Sequence, residues 1–412
     1  MSAGDSMGAQ GAARGPQDSP FETMPGSGGQ ATGTMPPSPG PRRGRPSFGR
    51  LSWSGLTLVI GLELRQRVRS TKWKWALALI AALIAVVTGL IAIAVPGDEW
   101  GTGDLVFGLV TYFVLFLGLV VSPTLTATSI NGDSKEGTLA PLQATTLSAW
   151  DIVLGKLLAS WFASLAILAV AVPFLGFAML SSDAHPAALL TVIAVLAAEL
   201  LVVCAMGLAW SALTARTASS AVLTYVTVAV LVVVLPILFP LLMLTMPVER
   251  EVTSTWRDYS YAGSGVDDSE YPYMDEYGEP YRCIEETYTT TTYRTDRLWW
   301  LLAVNPYVIV ADSAPTPAID EDSDDYYEFY GILDAIKQGV RELRLPPATT
   351  DDYCQPGLSE EELYRREARE GLSPTWPWGL GFHALLATGS VLIAVRRVAV
   401  PYGTLPRGTR VA

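Results

Sequence analysis

The chain has 412 residues, half of them hydrophobic and only 17% charged, with a mean hydropathy of +0.31. That balance lies outside the range of a soluble globular protein of this length. The net charge of −12 is unevenly spread, and the two histidines and three cysteines stand in no zinc-ligand spacing.

Residues 1–50 are rich in Gly, Pro and Ser and poor in aliphatics, which predicts a disordered cytoplasmic tail. They hold no apolar h-region, so no cleavable signal peptide is expected there. Residues 51–74 mix apolar and basic positions. Leu56, Val59, Ile60 and Leu64 recur at helical spacing, with Arg65, Arg67 and Arg69 nearby. This pattern suits an amphipathic helix in the membrane interface, its cations near anionic headgroups; a plain juxtamembrane basic segment reads the same way.

Six apolar blocks follow that approach the ~20 residues needed to cross ~30 Å of hydrocarbon. They are Trp75–Val95, Leu105–Val121, Ile152–Leu180, Ala187–Leu213, Ala218–Met246 and Trp376–Val395. Lipid offers no partners to backbone N–H and C=O groups, so such blocks must be helical. The domain layout expected is therefore spans one to five in 75–246, a loop at 123–151, an acidic external region at 247–375, span six at 376–397 and a tail at 398–412. Pro173, Pro236 and Pro240 would kink spans three and five. Glu199 is the only acid well inside a span. It reads either as a polar contact on a substrate path or subunit interface, or as a hydrogen-bonded helix contact, for example with a Ser or Thr of span three.

Charge sets the orientation. Arg42 to Lys74 carries nine basic residues and one acid, Glu63, and four arginines follow Val395. The segment Pro247–Thr375 holds 28 acidic and 11 basic residues, a net of −17, while the remainder is +5. The positive-inside rule then places both termini and the 129–151 loop in the cytoplasm. The acidity belongs to one external loop and gives no reason to expect nucleic acid.

The connection Ser129–Lys156 between spans two and three is elaborate for a membrane loop. It carries Asp133, Lys135, Glu136, Gly137, Thr138, Leu139, Leu142, Thr145, Leu147, Ser148, Ile152, Gly155 and Lys156. It resembles the cytoplasmic loop of ABC-2-type transporter permeases, which reads roughly Glu-x-x-x-Gly-Thr-Leu, two leucines, Thr-Pro-Leu-Ser, then Gly-Lys. Asp133 replaces the usual Glu and Thr146 the usual Pro. Glu63-Leu64-Arg65-Gln66-Arg67 is similar to the elbow helix of such permeases.

The external region contains 14 of the 17 tyrosines and two of the three cysteines. Cys283 and Cys354, on one exposed loop, are expected to pair; Cys204, within span four, is expected to stay a thiol. Leu298–Ala311 is too short to span and contains Asn305-Pro306, which suggests an interfacial segment or one packed on the membrane face of a loop. Tyr288–Tyr293 leans towards strand. Phe329, Ile332, Leu333, Ile336, Val340 and Leu343 trace an amphipathic helix. Ser359 and Glu362 form a capping-box pattern, with Glu361/Arg365 and Glu362/Arg366 spaced as i,i+4 pairs. The cluster Asp320, Glu321, Asp322, Asp324 and Asp325 reads as a solvated acidic turn, since Asp325 and Gly331 occupy the places of an EF-hand's Gly and final Glu.

No phosphate-cradling Gly-x-x-x-x-Gly-Lys-Ser/Thr loop is present. His185 and His383 both fall on or near the external side, and nothing supports an enzyme reading. The resemblance implies an all-α polytopic permease subunit in a bacterial plasma membrane, with an α+β or irregular external domain. It implies a second permease copy or paralogue and separate ATPase subunits that bind ATP and Mg, with no cofactor in this chain. Asp133, Lys135 and Glu136 would contact the ATPase, and Gly137 and Thr138 would shape the turn and helix start. The alternative reading is a membrane-anchored receptor or assembly factor whose external loop binds a partner.

Overall fold

A computed structural model describes residues 51–94, 102–137, 147–182, 186–259, 273–275, 277, 280–315, 331–354 and 360–399. The expected tail at 1–50, most of the tail at 398–412, His185, Phe329, Ser359 and the Asp320–Asp325 cluster lie outside these residues.

Helix α1, Trp53–Arg69, starts at Ser52, whose hydroxyl accepts the Gly55 N–H, and stops at Ser70 in extended backbone. Leu56 and Val59 are its buried aliphatics. One residue later begins α2, Thr71–Ala94, with only Ile84 and Thr88 buried. Helix α3, Thr102–Thr126, is followed after a two-residue turn by α4, Ser129–Lys135. Helices α5, Ala149–Leu180, and α6, Ala187–Leu213, form the centre of the bundle. The fifth long helix is composite: α7, Thr217–Ala229, a π-helical turn at Val230–Val234, and α8, Leu235–Met243.

Among the described residues, six helices, the sixth ending at Val398, are long and apolar enough to cross a membrane, the mark of a membrane protein. The first and fifth expose most of their apolar side chains, among them Leu79, Val86, Leu90, Val226 and Ile237. Lipid is the solvent that suits such surfaces. The core lies between α3, α5 and α6, where Phe107, Val110, Leu115, Leu175, Leu196 and Val203 are buried together.

After Met246 the chain leaves the bundle as strand. β1, Pro247–Asp258, pairs antiparallel with β3, Pro280–Tyr293, in a register running from Pro247↔Tyr293 to Asp258↔Arg282. β2, Tyr273–Met274, flanks β3, and β4, Thr350–Asp352, runs parallel to β1, giving the order β2-β3-β1-β4. Thr287, Thr289, Thr290, Thr291 and Thr292 supply the β-branched side chains that favour this extended run. Cys283 and Cys354 form a disulfide, as expected, with Cα atoms 5.6 Å apart.

Short helices α9, Trp300–Ala303, and α10, Pro306–Ser313, then return into the bundle, where Leu301, Ile309 and Val310 are fully buried. Their segment is packed among the spans rather than lying at the surface. Helix α11, Gly331–Glu342, matches the amphipathic stretch read from sequence. Helix α12, Glu360–Gly371, carries Arg365 within 3.9 Å of Glu361, while Arg366 lies 3.6 Å from Glu370.

The last helix, α13, Trp376–Val398, is capped by a side chain from another element. Asp312 of α10 accepts the Thr375 N–H, the Thr375 hydroxyl at 2.9 Å and the Trp376 N–H at 2.9 Å. Its other oxygen accepts from Arg341 of α11 at 3.0 Å. A carboxylate at a helix start satisfies orphan amides and favours the positive end of the helix dipole.

Candidate functional site

The described residues that carry the resemblance lie at the end of the bundle where α1, α4 and the start of α5 meet. Ser148 caps α5 in a reciprocal capping box with Asp151: the Asp151 N–H donates to Ser148 Oγ, and the Ser148 N–H to Asp151 Oδ2 at 3.0 Å. Asp151 Oδ1 also accepts the Ser52 N–H at 2.7 Å. One buried carboxylate therefore joins the N-termini of α1 and α5. Glycine permits the two helices to cross closely: a Cβ on Gly155 would lie 2.7 Å from Val59 Cβ, and one on Gly55 would lie 2.8 Å from Leu147 Cδ2.

Lys156, only 2% exposed, completes the junction. Its Nζ stands 2.6 Å from Glu63 Oε1 of α1 and 2.6 Å from Asp133 Oδ2 of α4. A single cation thus ties α1, α4 and the first turns of α5. Arg67 adds to it, donating to Ala159 O at 2.9 Å and Ser160 Oγ at 3.0 Å, with Glu63 at 3.8 Å. Burial lowers the Arg67 pKa from its ordinary value, and Glu63 opposes that shift. On the far side of α4, the Ile130 and Asn131 N–H groups donate to Ser211 Oγ, and Asn131 Nδ2 donates to Thr214 O. These bonds fasten α4 to the end of α6.

The expected residues therefore divide. Asp133 and Lys156 face each other within the chain, and Ser148 and Gly155 build the helix start and the crossing. Lys135 and Glu136 are exposed, Lys135 donating to Thr217 Oγ1 at 3.2 Å. Gly137, at φ 71°, follows the C-cap Glu136 and so ends α4; the helix start expected beside it falls outside the described residues. Thr138, Leu139, Leu142 and Thr145 also lie outside them. Within the expected 123–151 loop, residues 123–126, 129–135 and 149–151 are helical.

A second polar centre sits inside the bundle. Glu199 is 1% exposed, about 18 Å along α6 from its start at 1.5 Å per residue. Its partner is His383 of the last span, also 1% exposed, with Nδ1 2.8 Å from Oε2 and 3.0 Å from Oε1. The Ser or Thr of span three offered as an example partner in sequence is replaced by this histidine, which lies about 10 Å inside α13 rather than at the external surface. His383 Nε2 donates to Val304 O at 3.0 Å. A third polar group of the bundle interior is Cys204, a buried thiol 3.5 Å from Ser164 Oγ, which itself accepts from Ser122 at 3.0 Å.

Glu63, Asp151, Arg67 and Asn131 carry the junction but were not among the expected contact residues. Asp151 had a local signal, the Ser-x-x-Asp spacing at a helix start. Glu63 and Lys156 are 93 positions apart and had none. Among the described residues no group of three or more His, Cys, Asp or Glu side chains is placed to hold a metal ion. No family model matches this chain, and no curated protein matches it in sequence.

Proposed function

We propose that this chain is the permease subunit of an ABC-2-type transporter, exporting a substrate across a bacterial plasma membrane with ATP hydrolysed on separate subunits. The observation that carries the reading is the junction at Lys156. The stretch that resembles the permease coupling loop is wired by that lysine to the helix that resembles the permease elbow. The basic residues support the same orientation. Arg65, Arg67, Arg69, Lys72, Lys74, Arg216, Arg396 and Arg397 all belong to helix ends on the junction side, whereas the disulfide-bearing sheet grows from the opposite ends. By the positive-inside rule the junction is cytoplasmic and both termini are on that side.

In this mechanism the partner ATPase, with bound ATP and Mg, supplies the hydrolysis. Lys135 and Glu136 at the exposed tip of α4 receive its closing motion. The Glu63–Lys156–Asp133 tie and the Asp151 bridge pass that motion to α1 and α5 together, because α4 cannot shift without dragging the buried lysine. A second copy or paralogue of the permease completes the translocation path.

The test is purification of the native complex and identification of its subunits. Recovery of an ATPase with a phosphate-binding loop, whose substrate-stimulated turnover is lost on Glu136→Lys while membrane insertion persists, is the expected result. Recovery of an external partner and no ATPase would instead support a receptor or assembly factor, for which the disulfide-stapled sheet is the binding element.

A further inference from the structure

The π-turn of the fifth span has a defined cause and a defined clamp. Leu235 N–H reaches back to Val230 O, skipping Leu231. Pro236 has no N–H to offer to either Leu231 or Val232. Two backbone carbonyls inside the bundle are thereby deprived of their α-helical partners, a costly state away from water. Asn305 supplies what is missing: its Nδ2 donates to Leu231 O and to Val232 O, each at 3.1 Å. Its Oδ1 meanwhile accepts the Tyr307 N–H at 2.8 Å, so both side-chain donors of Asn305 and one of its two acceptor lone pairs are used.

The preceding residue, Val304, receives the Nε2–H of His383. With Nε2 fixed as a donor, Nδ1 meets the Glu199 carboxyl with one proton between them. Either imidazole accepts from a protonated Glu199, or imidazolium donates to the carboxylate. Both arrangements leave the pair with no net charge, as a buried site of 1% exposure requires. Removing that proton would press the Nδ1 lone pair against a carboxylate.

We infer that Val304–Asn305 is a latch that joins the one-proton Glu199–His383 pair to the π-turn of the fifth span, so that three spans open and close as a unit. The pair holds the backbone of the latch, and the latch holds the two orphaned carbonyls. Loss of the proton-mediated contact therefore loosens a helix that neither Glu199 nor His383 touches through the hydrogen bonds described. The inference stands on these contacts alone and does not depend on the transport reading.

Hydrogen–deuterium exchange of the full chain in lipid nanodiscs, read by mass spectrometry, tests it. Glu199→Ala should raise exchange of the peptide covering Val230–Val234 about tenfold. Glu199→Gln, which can donate to Nδ1 of a neutral imidazole, should leave it within about twofold of the parent. Coupling is reciprocal, so Asn305→Ala should also speed exchange in α13 around His383. The inference is overturned if Glu199→Ala loosens α6 and α13 but not the π-turn, or if Glu199→Gln behaves as the alanine variant does. It is equally overturned if Asn305→Ala is felt only in α7 and α8, and that arm decides the matter should Glu199→Ala fail to fold.

Discussion

Replacing Lys156 with Met removes the cation but keeps most of the side-chain volume. It leaves Glu63 and Asp133, each of which stood 2.6 Å from the same ammonium, facing one another across the vacated space. Breaking a buried ion pair on one side costs about 3–5 kcal/mol, because the remaining charge keeps its desolvation penalty and loses its partner. The two carboxylates retain 22% and 25% exposure, so water relieves part of that penalty. The lower end, about 3 kcal/mol, is the expected loss, a shift of roughly two orders of magnitude in the unfolding equilibrium. Neutralising the carboxylates as well, in a Lys156→Met, Glu63→Gln, Asp133→Asn triple variant, should recover most of it, since neither side chain then carries an uncompensated charge, while Arg67 keeps its Ala159 and Ser160 acceptors. The assay is equilibrium unfolding of the purified chain in mixed micelles titrated with a denaturing detergent, followed by tryptophan fluorescence. A single variant within about 1 kcal/mol of the parent would refute the reasoning, since that is the scale of an exposed surface pair. So would a triple variant no more stable than the single one.

Gly137→Ala forces a left-handed backbone on a residue with a Cβ, at a cost of about 1–2 kcal/mol, and should speed amide exchange in the last turn of α4; unchanged exchange there would contradict the capping role. A non-reducing digest should yield one cross-linked fragment containing Cys283 and Cys354 that separates on reduction. By chain entropy that bridge, closing 71 positions, contributes about 4 kcal/mol, and Cys283→Ser/Cys354→Ser should lower thermal stability accordingly. Asp334 of α11 is held above the ordinary carboxyl range by burial, with Lys337 opposing. A carboxyl with a raised folded pKa disfavours the fold once it ionises, so its contribution falls as pH rises from the unfolded value of about 4 through the folded one. Asp334→Asn should remove that decline and be neutral or stabilising at neutral pH; a variant less stable than the parent at pH 7 would show the charge to be needed.

The spans were legible because length and apolarity are local properties: Ala187–Leu213 was bounded as it stands, and Ile152–Leu180 missed only the capped first turn. Helix α1 was legible from Leu56 and Val59, both of which are buried. What sequence could not reveal were pairings between distant positions. Glu199 was visibly anomalous in a span, but its partner lies 184 positions away on a helix whose own pattern is unremarkable. Asp133 was expected to contact a partner subunit because a polar loop is its local context; its pairing with Lys156 of the next span, at 2.6 Å, had no local signal. Leu298–Ala311 was recognised as too short to cross a membrane. Its burial among the spans depends on Asn305 finding two carbonyls freed by Pro236, a complementarity that neither segment displays alone.

Two of the carboxylates described above, Asp312 and Glu199, are completed only by the last helix. Asp312 receives the first amides of α13, and Glu199 receives His383. Until that helix arrives, a nascent chain holds both acids in a folded environment that lacks one of their principal partners. Assembly of the bundle is therefore unfinished, in free-energy terms, up to the final span. A chain truncated before Thr375 keeps its other five spans yet carries two marks of incompleteness, which makes the docking of α13 a checkpoint for the bundle.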